Sequence, residues 1–478
     1  MPPLPRRDLR KLVRKLGVHR RPNEQQQALE QLAALCQDQS SGTVHPEAVT
    51  AVADTGAISA LVKLLGRGST VNVHVAAASM AMFIANDAAH AAAIVAAGAI
   101  PPLVQLLGRG EPCTLRSKVQ ATAAGALGIL AKTLEISASI VAASAIPPQV
   151  QLLGPSSLVG AQKSATVALM FLYWHGEVAT TIAGAGAIPP LLRLLGPISS
   201  AEMQQDVAGA LLQLARSGDN CGAIAAAAAI PPLVLLLGPG SPDDVQQMSA
   251  EVLAILAEHD ENLATIAAAG AIPPLVQLLG PASVADVQGI AAIALGCLAL
   301  QPEHAGTITA AGAIPPLVQL LGFCSSAAMQ ERAVGLLVNL AVHTENVATI
   351  AAAGAIAPLV LLLRQGSPAD LQQESATALW CLAVHAENLA TIAGAGAIPP
   401  LVLLLRPRSP TDVQQMAARA LRRLAMNVTS VPWHGWWPPL PLLGPRRRWA
   451  FSDLPRQRAN VGGTNSTAPM RVLAPPHT

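Results

Sequence analysis

The sequence predicts an all-α protein built as a solenoid of three-helix repeats, and three observations support this prediction. The segment Gly-Ala-Ile, or a close variant, begins at residues 56, 98, 144, 186, 228, 270, 312, 354 and 396, so the spacing is 42 residues except for one spacing of 46. Hydrophobic residues make up 52% of the chain and aromatic residues only 2%, which suits helices that pack closely through Ala and Leu. Small and apolar residues also recur with a helical period inside each repeat.

Each repeat is predicted to contain three helices, as residues 344–383 illustrate. Thr344 to Asn346 are typical of a helix start, and Gly354 predicts the end of this first helix because glycine accepts the left-handed conformation. The second helix follows, with proline in its first turn. Ser367 and Pro368 predict the cap and the first residue of the third helix, and the acidic residue Asp370 complements its dipole.

The predicted third helices are amphipathic. Counted from the first member of each set, residues at offsets 4, 7, 8 and 11 lie on one side of a helix with 3.6 residues per turn. Because one repeat cannot bury such a stripe alone, stacked neighbours are expected to form a continuous core. Three repeats give these stripes: Leu371, Ser375, Ala378, Leu379 and Leu382; Met329, Ala333, Leu336, Leu337 and Leu340; Val73, Ala77, Met80, Ala81 and Ile84.

These features resemble armadillo repeats. The resemblance rests on the phrase GAIPPLVQLL at 270–279, the 42-residue period, the Val-Gln-x-x-Ala pattern of the third helices, and Glu261-Asn262 before a first helix. It covers roughly residues 56–427 and implies an armadillo-type right-handed superhelical solenoid of about nine three-helix repeats. A two-helix repeat of the HEAT type is the competing fold, which the glycine between a separate first and second helix disfavours.

The two ends of the chain differ from the repeats. We expect a basic arm at 1–23, a partial capping repeat at 24–55, nine repeats at 56–427, and a disordered tail rich in Pro, Trp and Arg at 428–478. The capping repeat has a short apolar stripe of Ala28, Leu32 and Leu35. Residues 1–21 hold eight basic residues and one acid, and 428–478 hold six and one, which leaves 16 basic and 26 acidic residues between them. The sequence therefore predicts an acidic solenoid between basic tails.

The sequence indicates neither a membrane span nor a secreted protein. Its apolar stretches are broken by Pro-Pro and fall short of the ~20 residues that a span needs. The N-terminal segment has no apolar core typical of a signal peptide, and Pro2 stands where myristoylation requires glycine. The six cysteines are scattered and form no CxxC pair, which favours reduced thiols. We expect a cytoplasmic or nuclear protein without a transmembrane segment.

Catalytic and metal-binding patterns are missing from the sequence. His175, His259, His343 and His385 fall in register before first helices, but imidazoles one or more repeats apart cannot share one metal ion. No nucleophile–base–acid set and no phosphate-binding loop is visible. We therefore expect no enzyme activity, no cofactor, no metal and no small-molecule substrate, and we interpret these histidines as loop residues copied with the repeat.

A concave groove lined by the third helices is the predicted binding site. Peptide-binding armadillo proteins often carry a Trp and an Asn one turn apart on each third helix, and of these two columns only Asn339 is present here. This disfavours a nuclear-import adaptor of the importin-alpha kind. A second polar column and a cluster near the C-terminal end complete the candidate groove, which comprises Gln205, Gln247, Glu251, Glu331, Asn339, Gln373, Thr377, Trp380, Gln415, Arg419 and Arg423.

The predicted function is a protein–protein interaction scaffold or adaptor that binds extended segments of partner proteins. The chain resembles armadillo scaffolds of the vacuole-associated and plant ubiquitin-ligase types. Arg419, Arg422 and Arg423 beside Trp380 predict that an acidic or mixed-charge segment docks at the C-terminal end of the groove. Two alternatives stay open: a transport adaptor that recognises basic peptides, and nucleic-acid binding through the basic tails.

Overall fold

The protein is all-α in the part that the computed structural model describes, residues 6–17, 19–36, 45–66, 68–108, 114–173, 177–322 and 324–426. Within these ranges the only β contact is an isolated bridge between Gln365 and Ser367. The predicted fold class is therefore confirmed. The tail at 428–478 and His175 lie outside the described residues.

The chain forms two compact units that divide between Ala229 and Ile230. The first contains α1 (Arg6–Lys15), α2 (Pro22–Cys36), α3 (Pro46–Ala53), α4 (Ala57–Leu65), α5 (Val71–Ile84), α6 (Ala88–Ala96), α7 (Ile100–Leu107), α8 (Thr114–Leu130), α9 (Leu134–Ala142), α10 (Ile146–Leu152), α11 (Val159–Tyr173), α12 (Glu177–Gly184), α13 (Ile188–Leu194), α14 (Ala201–Ala215), a 3-10 turn (Gly218–Asn220) and α15 (Cys221–Ala226).

The second unit contains α16 (Ile230–Leu235), α17 (Asp243–Leu256), α18 (Asp260–Ala268), α19 (Ile272–Leu278), α20 (Ala285–Leu298), α21 (Pro302–Ala310), α22 (Ile314–Leu320), α23 (Ala327–Ala341), α24 (Thr344–Ala352), α25 (Ile356–Leu362), α26 (Ala369–Leu382), α27 (Ala386–Gly394), α28 (Ile398–Leu404) and α29 (Thr411–Met426). From α3 onward the described helices follow a repeating order of first, second and third helix.

The residue between a first and a second helix is left-handed in every repeat. Seven of these residues are glycines with φ between 78° and 87°, as the sequence predicts. Ser144 and Ala228 occupy the same position with φ of 59° and 60°. L-residues pay a steric cost in this conformation, so the two repeats with Ser and Ala keep the turn at some expense in stability.

The starts of the helices differ from the predicted caps. Pro368, not Ser367, is the N-cap residue of α26, and no side chain caps this helix. The backbone of Pro368 is extended (ψ 146°), so the helix begins one residue later than predicted. Serine caps do occur where no proline intervenes: the Oγ of Ser200 and of Ser326 accept hydrogen bonds from N–H groups at 3.3 and 3.2 Å.

Asparagines near the starts of the first helices act as tethers, not as caps. The Nδ2 of Asn346 donates to the Leu340 carbonyl at 3.1 Å and so fastens α24 to the end of α23. The same bond joins Asn220 to Leu214, Asn262 to Leu256 and Asn388 to Leu382, at 3.1, 3.0 and 2.9 Å. These buried amides satisfy carbonyls that a helix end leaves without a partner.

The core is formed by the apolar stripes of the third helices. All fifteen stripe residues named above are at most 5% exposed, which confirms the prediction. Third helices pack on one another in order: α5, α8, α11 and α14 in the first unit, and α17, α20, α23, α26 and α29 in the second.

The N-terminal residues were expected to form a basic arm, but they include a packed helix. Leu9 in α1 and Leu16 directly after its end are 4% and 1% exposed, and α1 packs on α2, which packs on α5. The two leucines lie seven residues apart, a spacing of about two helical turns. The capping element therefore begins with α1, before residue 24. In α2, Leu32 is buried as predicted whereas Leu35 is only half-buried.

No helix in the described ranges is both long and apolar enough to cross a membrane alone. Four pairs of a first and a second helix meet that requirement together, and each pair bends by 79–88° at its break. Five described cysteines are free thiols: four are buried and Cys324 is exposed.

Candidate functional site

Each third helix exposes a narrow stripe of side chains. In α26 this stripe recurs every three or four residues, which keeps it on one side of the helix. The stripes of the last two third helices form what we call the α26–α29 face. Its residues are Asp370, Gln373, Thr377, Trp380, Val384, Asp412, Gln415, Arg419, Arg422 and Arg423.

Third-helix positions that correspond to the Trp and Asn of peptide-binding armadillo proteins are largely buried in the second unit. Two predicted groove residues are among them, Glu251 and Asn339, at 8% and 9% exposure. Because these side chains are covered by the rest of the fold, little surface is left for a ligand there. The buried set is Glu251, Ile255, Ile293, Cys297, Gly335, Asn339 and Cys381.

Asn339 has a structural partner. Its Nδ2 donates a hydrogen bond to the carbonyl oxygen of Gly296 at 2.9 Å, from α23 to α20. The amide that would hold a ligand backbone in a peptide-binding groove is therefore used between adjacent repeats.

A row of glutamines fastens α2 and most third helices to the helix before them. Its hydrogen bonds assign this row to the fold. Each amide donates to a carbonyl near the end of the preceding helix; the pairs are Gln25–Gly17, Gln120–Leu107, Gln162–Gly154, Gln204–Gly196, Gln246–Gly238, Gln288–Gly280, Gln330–Gly322, Gln372–Arg364 and Gln414–Arg406, at 2.7–3.2 Å. His74 Nε2 lies 3.0 Å from the Gly66 carbonyl and takes this place in α5.

The polar column that follows these glutamines is half-buried. Its members are Gln205 in the first unit and Gln247, Glu331, Gln373 and Gln415 in the second. Gln247 donates to the carboxylate of Glu251 at 3.1 Å.

Gly289 interrupts this column, and Arg332 fills the space that a side chain at position 289 would occupy. Burial lowers the pKa of Arg332, while the carboxylates of Asp286 and Glu331 act in the opposite direction. This part of the second unit therefore carries acidic groups around one partly buried guanidinium.

At the α26–α29 face an aromatic ring and arginines come together. The guanidinium of Arg423 lies 5.4 Å from the ring centroid of Trp380, within the range of a cation–π contact. Arg419 Nη1 lies 3.7 Å from the sulfur of Met416, and Arg422 is exposed. Trp380 thus packs against α29 and keeps part of its ring accessible.

Two further side chains fix the local structure of this face. Thr377 donates its hydroxyl to the Gln373 carbonyl at 2.8 Å, so its side chain is held against its own helix. Burial raises the pKa of Cys381 to about 12, an effect that Arg423 opposes, so this thiol stays protonated at neutral pH.

The first unit holds polar groups that the sequence did not single out. Lys163 and Glu202 form an ion pair between α11 and α14. Asp206 lies beside them; burial raises its pKa to about 6, Lys163 lowers it and Glu202 raises it further. Its Oδ2 has no hydrogen-bond partner among the described residues. Only the position of Asp206, next to Gln205 in the polar column, could have suggested it.

No group of three or more His, Cys, Asp or Glu side chains in the described ranges is arranged to hold a metal ion. His343 Nε2 lies 3.2 Å from the Ala299 carbonyl of the preceding repeat. This contact assigns His343 to packing between repeats.

Comparisons with known proteins identify the repeat. Residues 87–132, 177–216, 301–342 and 385–426 each match the family model of the armadillo/beta-catenin-like repeat, and each match spans one set of three helices. An engineered protein solved by the Northeast Structural Genomics Consortium is 31% identical, with a TM-score of 0.76 over 87% of this chain and 99% of that chain. This chain belongs to the armadillo-repeat superfamily. Armadillo repeats are generally protein-interaction scaffolds, and their fold is typically non-enzymatic. Among the curated proteins, none matches the chain.

The armadillo repeats of this chain depart from the Trp and Asn pattern of peptide-binding members. Where that pattern has large exposed side chains, most of the corresponding positions in the described part of the second unit are buried. At the α26–α29 face, among the described residues of the second unit, an aromatic ring and cations lie together at the surface.

Proposed function

We propose that this armadillo protein is an interaction scaffold that binds an extended acidic or mixed-charge segment of a partner at the α26–α29 face. The observation that carries the proposal is the pairing of Trp380 with Arg423, flanked by Arg419 and Arg422. Trp and Arg are the residues most often responsible for binding energy in protein interfaces.

The chemistry of the face favours carboxylates. Arginine binds a carboxylate through two parallel N–H groups, and a guanidinium already stacked on a ring loses little freedom on binding. The half-buried amides of Gln373 and Gln415 lie along the same stripes and offer hydrogen bonds to the backbone of an extended segment.

The charge changes along the second unit. Acidic side chains, including Asp286 and Glu331, lie toward α20 and α23, and arginines lie on α29. A segment that spans both regions would place its acidic residues near α29 and its basic residues near α23. Complementary charges of this kind favour one direction of binding over the other.

The alternative of a transport adaptor for basic peptides has less support. Such binding needs aromatic walls and backbone-holding amides on successive third helices, whereas Asn339 donates to Gly296 and the neighbouring positions are buried. Nucleic-acid binding through the C-terminal tail concerns residues outside the described ranges.

The proposal is tested by affinity purification with full-length chain and quantitative mass spectrometry. The test variant is Arg419→Glu with Arg423→Glu. The matched control is Arg406→Glu with Arg408→Glu, the same charge change at two exposed positions in the loop before α29. We expect the control to capture the same proteins as wild type. The test variant should capture at least about tenfold less of them, equivalent to ~1.4 kcal/mol of binding free energy. Equal capture by the test variant, with its helical signal intact, would refute the site.

A further inference from the structure

The last described repeat of the second unit exposes apolar residues whose counterparts in the preceding repeat are buried. Ile398 and Val402 of α28 are 45% and 50% exposed, whereas their counterparts Ile356 and Val360 of α25 are 3% and 6% exposed. In that earlier repeat α25 packs against α27, and α26 packs against α29. No described helix follows α29 to do the same.

Together with neighbouring apolar residues these two form what we call the terminal face. It comprises the exposed Ile398, Val402 and Ala425 and the half-buried Leu405 and Leu421. The counterparts of the last three in the preceding repeat, Leu363, Leu379 and Ala383, are each 1% exposed. Terminal repeats of solenoids normally carry a polar outer face, because an apolar one promotes association. This face keeps the apolar residues of an internal repeat.

We propose that residues 431–443 of this chain cover the terminal face, with Trp433, Trp436 and Trp437 packed over Ile398 and Val402. The described residues end at Met426 of α29, so the chain continues from this same end for 52 residues. The first apolar run there, VPWHGWWPPLPLL, starts five residues after α29. At about 3.3–3.6 Å per residue it reaches any part of the face.

The composition of this segment suits it to covering an apolar face. It holds three of the six tryptophans of the chain, together with Leu440, Leu442 and Leu443. The sequence predicts no helix there, and none is needed, since a proline-rich extended segment packs without internal hydrogen bonds. Arg406, Arg408 and Arg422 are exposed near the face and supply cations for the indole rings.

A covalently attached segment also has an advantage over a second molecule. Attachment through a short linker gives an effective concentration in the millimolar range. A second copy of the chain would have to be held by a face of on the order of a few hundred Å², against ~800 Å² per partner in a stable complex.

The test measures how fast a cysteine on the terminal face reacts with a maleimide in the full-length chain. Cys113→Ser and Cys324→Ser form the background, so that the remaining native thiols, Cys36, Cys221, Cys297 and Cys381, are buried. Val402→Cys reports on the face. Ile198→Cys, at a fully exposed loop position of the first unit, gives the reference rate.

We expect Val402→Cys to react at least about tenfold more slowly than Ile198→Cys, independently of protein concentration. Adding Trp433→Ser, Trp436→Ser and Trp437→Ser should bring the two rates together, whereas Trp449→Ser, outside the segment, should leave the protection unchanged. Fast labelling with the native tail, or protection that survives the triple change, would overturn the proposal. Protection that grows with protein concentration would overturn it as well, because a second copy would then cover the face. None of these outcomes depends on partner binding at the α26–α29 face.

Discussion

The side-chain amide of Asn339 donates a hydrogen bond to the backbone carbonyl of Gly296, at 2.9 Å across the packed helices α23 and α20. In sequence, Asn339 is the single residue that matches the asparagine column of peptide-binding armadillo repeats. In the fold it joins two repeats and is 9% exposed. A residue type that marks a ligand site in one armadillo protein thus stabilises the stack in this one.

Two substitutions in α26 distinguish the structural role of the glutamine row from that of the polar column beside it. Gln372 donates to the Arg364 carbonyl at 2.9 Å, so Gln372→Ala leaves a carbonyl without its partner and should cost about 1 kcal/mol. Gln373→Ala should change stability by less than about 0.5 kcal/mol but weaken partner capture. Urea unfolding and affinity purification measure the two effects. Equal losses of stability in the two variants would show that the glutamine row stabilises the fold no more than the polar column does.

The sequence predicted the repeat well because its signals are local. The burial of Leu336 or Leu379 follows from helical periodicity alone. By contrast, the hydrogen bond from Gln372 to the Arg364 carbonyl depends on how a third helix packs against the second helix, which residue spacing does not predict. The many basic residues at 1–21 hid the apolar spacing of Leu9 and Leu16, so the packing of α1 was not predicted.

Leu336→Ala should destabilise the second unit by about 2–5 kcal/mol, because the side chain is fully buried and its removal leaves a cavity. Val338→Ala, at a half-buried position of the same helix, should cost less. Repeats couple mainly to their neighbours, so amide hydrogen exchange should accelerate first in α20, α23 and α26. Uniform acceleration throughout the unit would argue against this coupling.

Ala228→Gly should stabilise the protein by about 0.5–1 kcal/mol, since Ala228 has a left-handed backbone (φ 60°) that glycine adopts without strain. The reverse change, Gly270→Ala (φ 78°), should cost about 1 kcal/mol. An added Cβ at Gly270 meets nothing within 4 Å, so the cost there is conformational. Thermal melting checks both signs, and a loss of stability in Ala228→Gly would contradict the argument.

Asp206 should make stability depend on pH. Burial raises its pKa in the folded protein to about 6, above its ordinary value of 3.8. The folded state therefore takes up this proton first, and stability should fall as pH rises from about 4 to about 6, by at most ~3 kcal/mol. Asp206→Asn should remove this part of the dependence and stabilise the protein at pH 7. Identical pH profiles for the variant and wild type would show that Asp206 is not responsible.

Fluorescence anisotropy with synthetic twelve-residue peptides tests the central claim most directly, because it separates partner chemistry from partner identity. Three peptide pools of equal length, acidic, neutral and basic, are titrated with wild-type protein, with Arg419→Glu/Arg423→Glu, and with Arg406→Glu/Arg408→Glu. We predict that acidic peptides bind most tightly to wild type, that binding weakens as salt is raised, and that only the Arg419→Glu/Arg423→Glu variant loses it, by at least about tenfold. Tighter binding of the basic pool, or unchanged binding of acidic peptides by that variant, would contradict the assignment of the α26–α29 face.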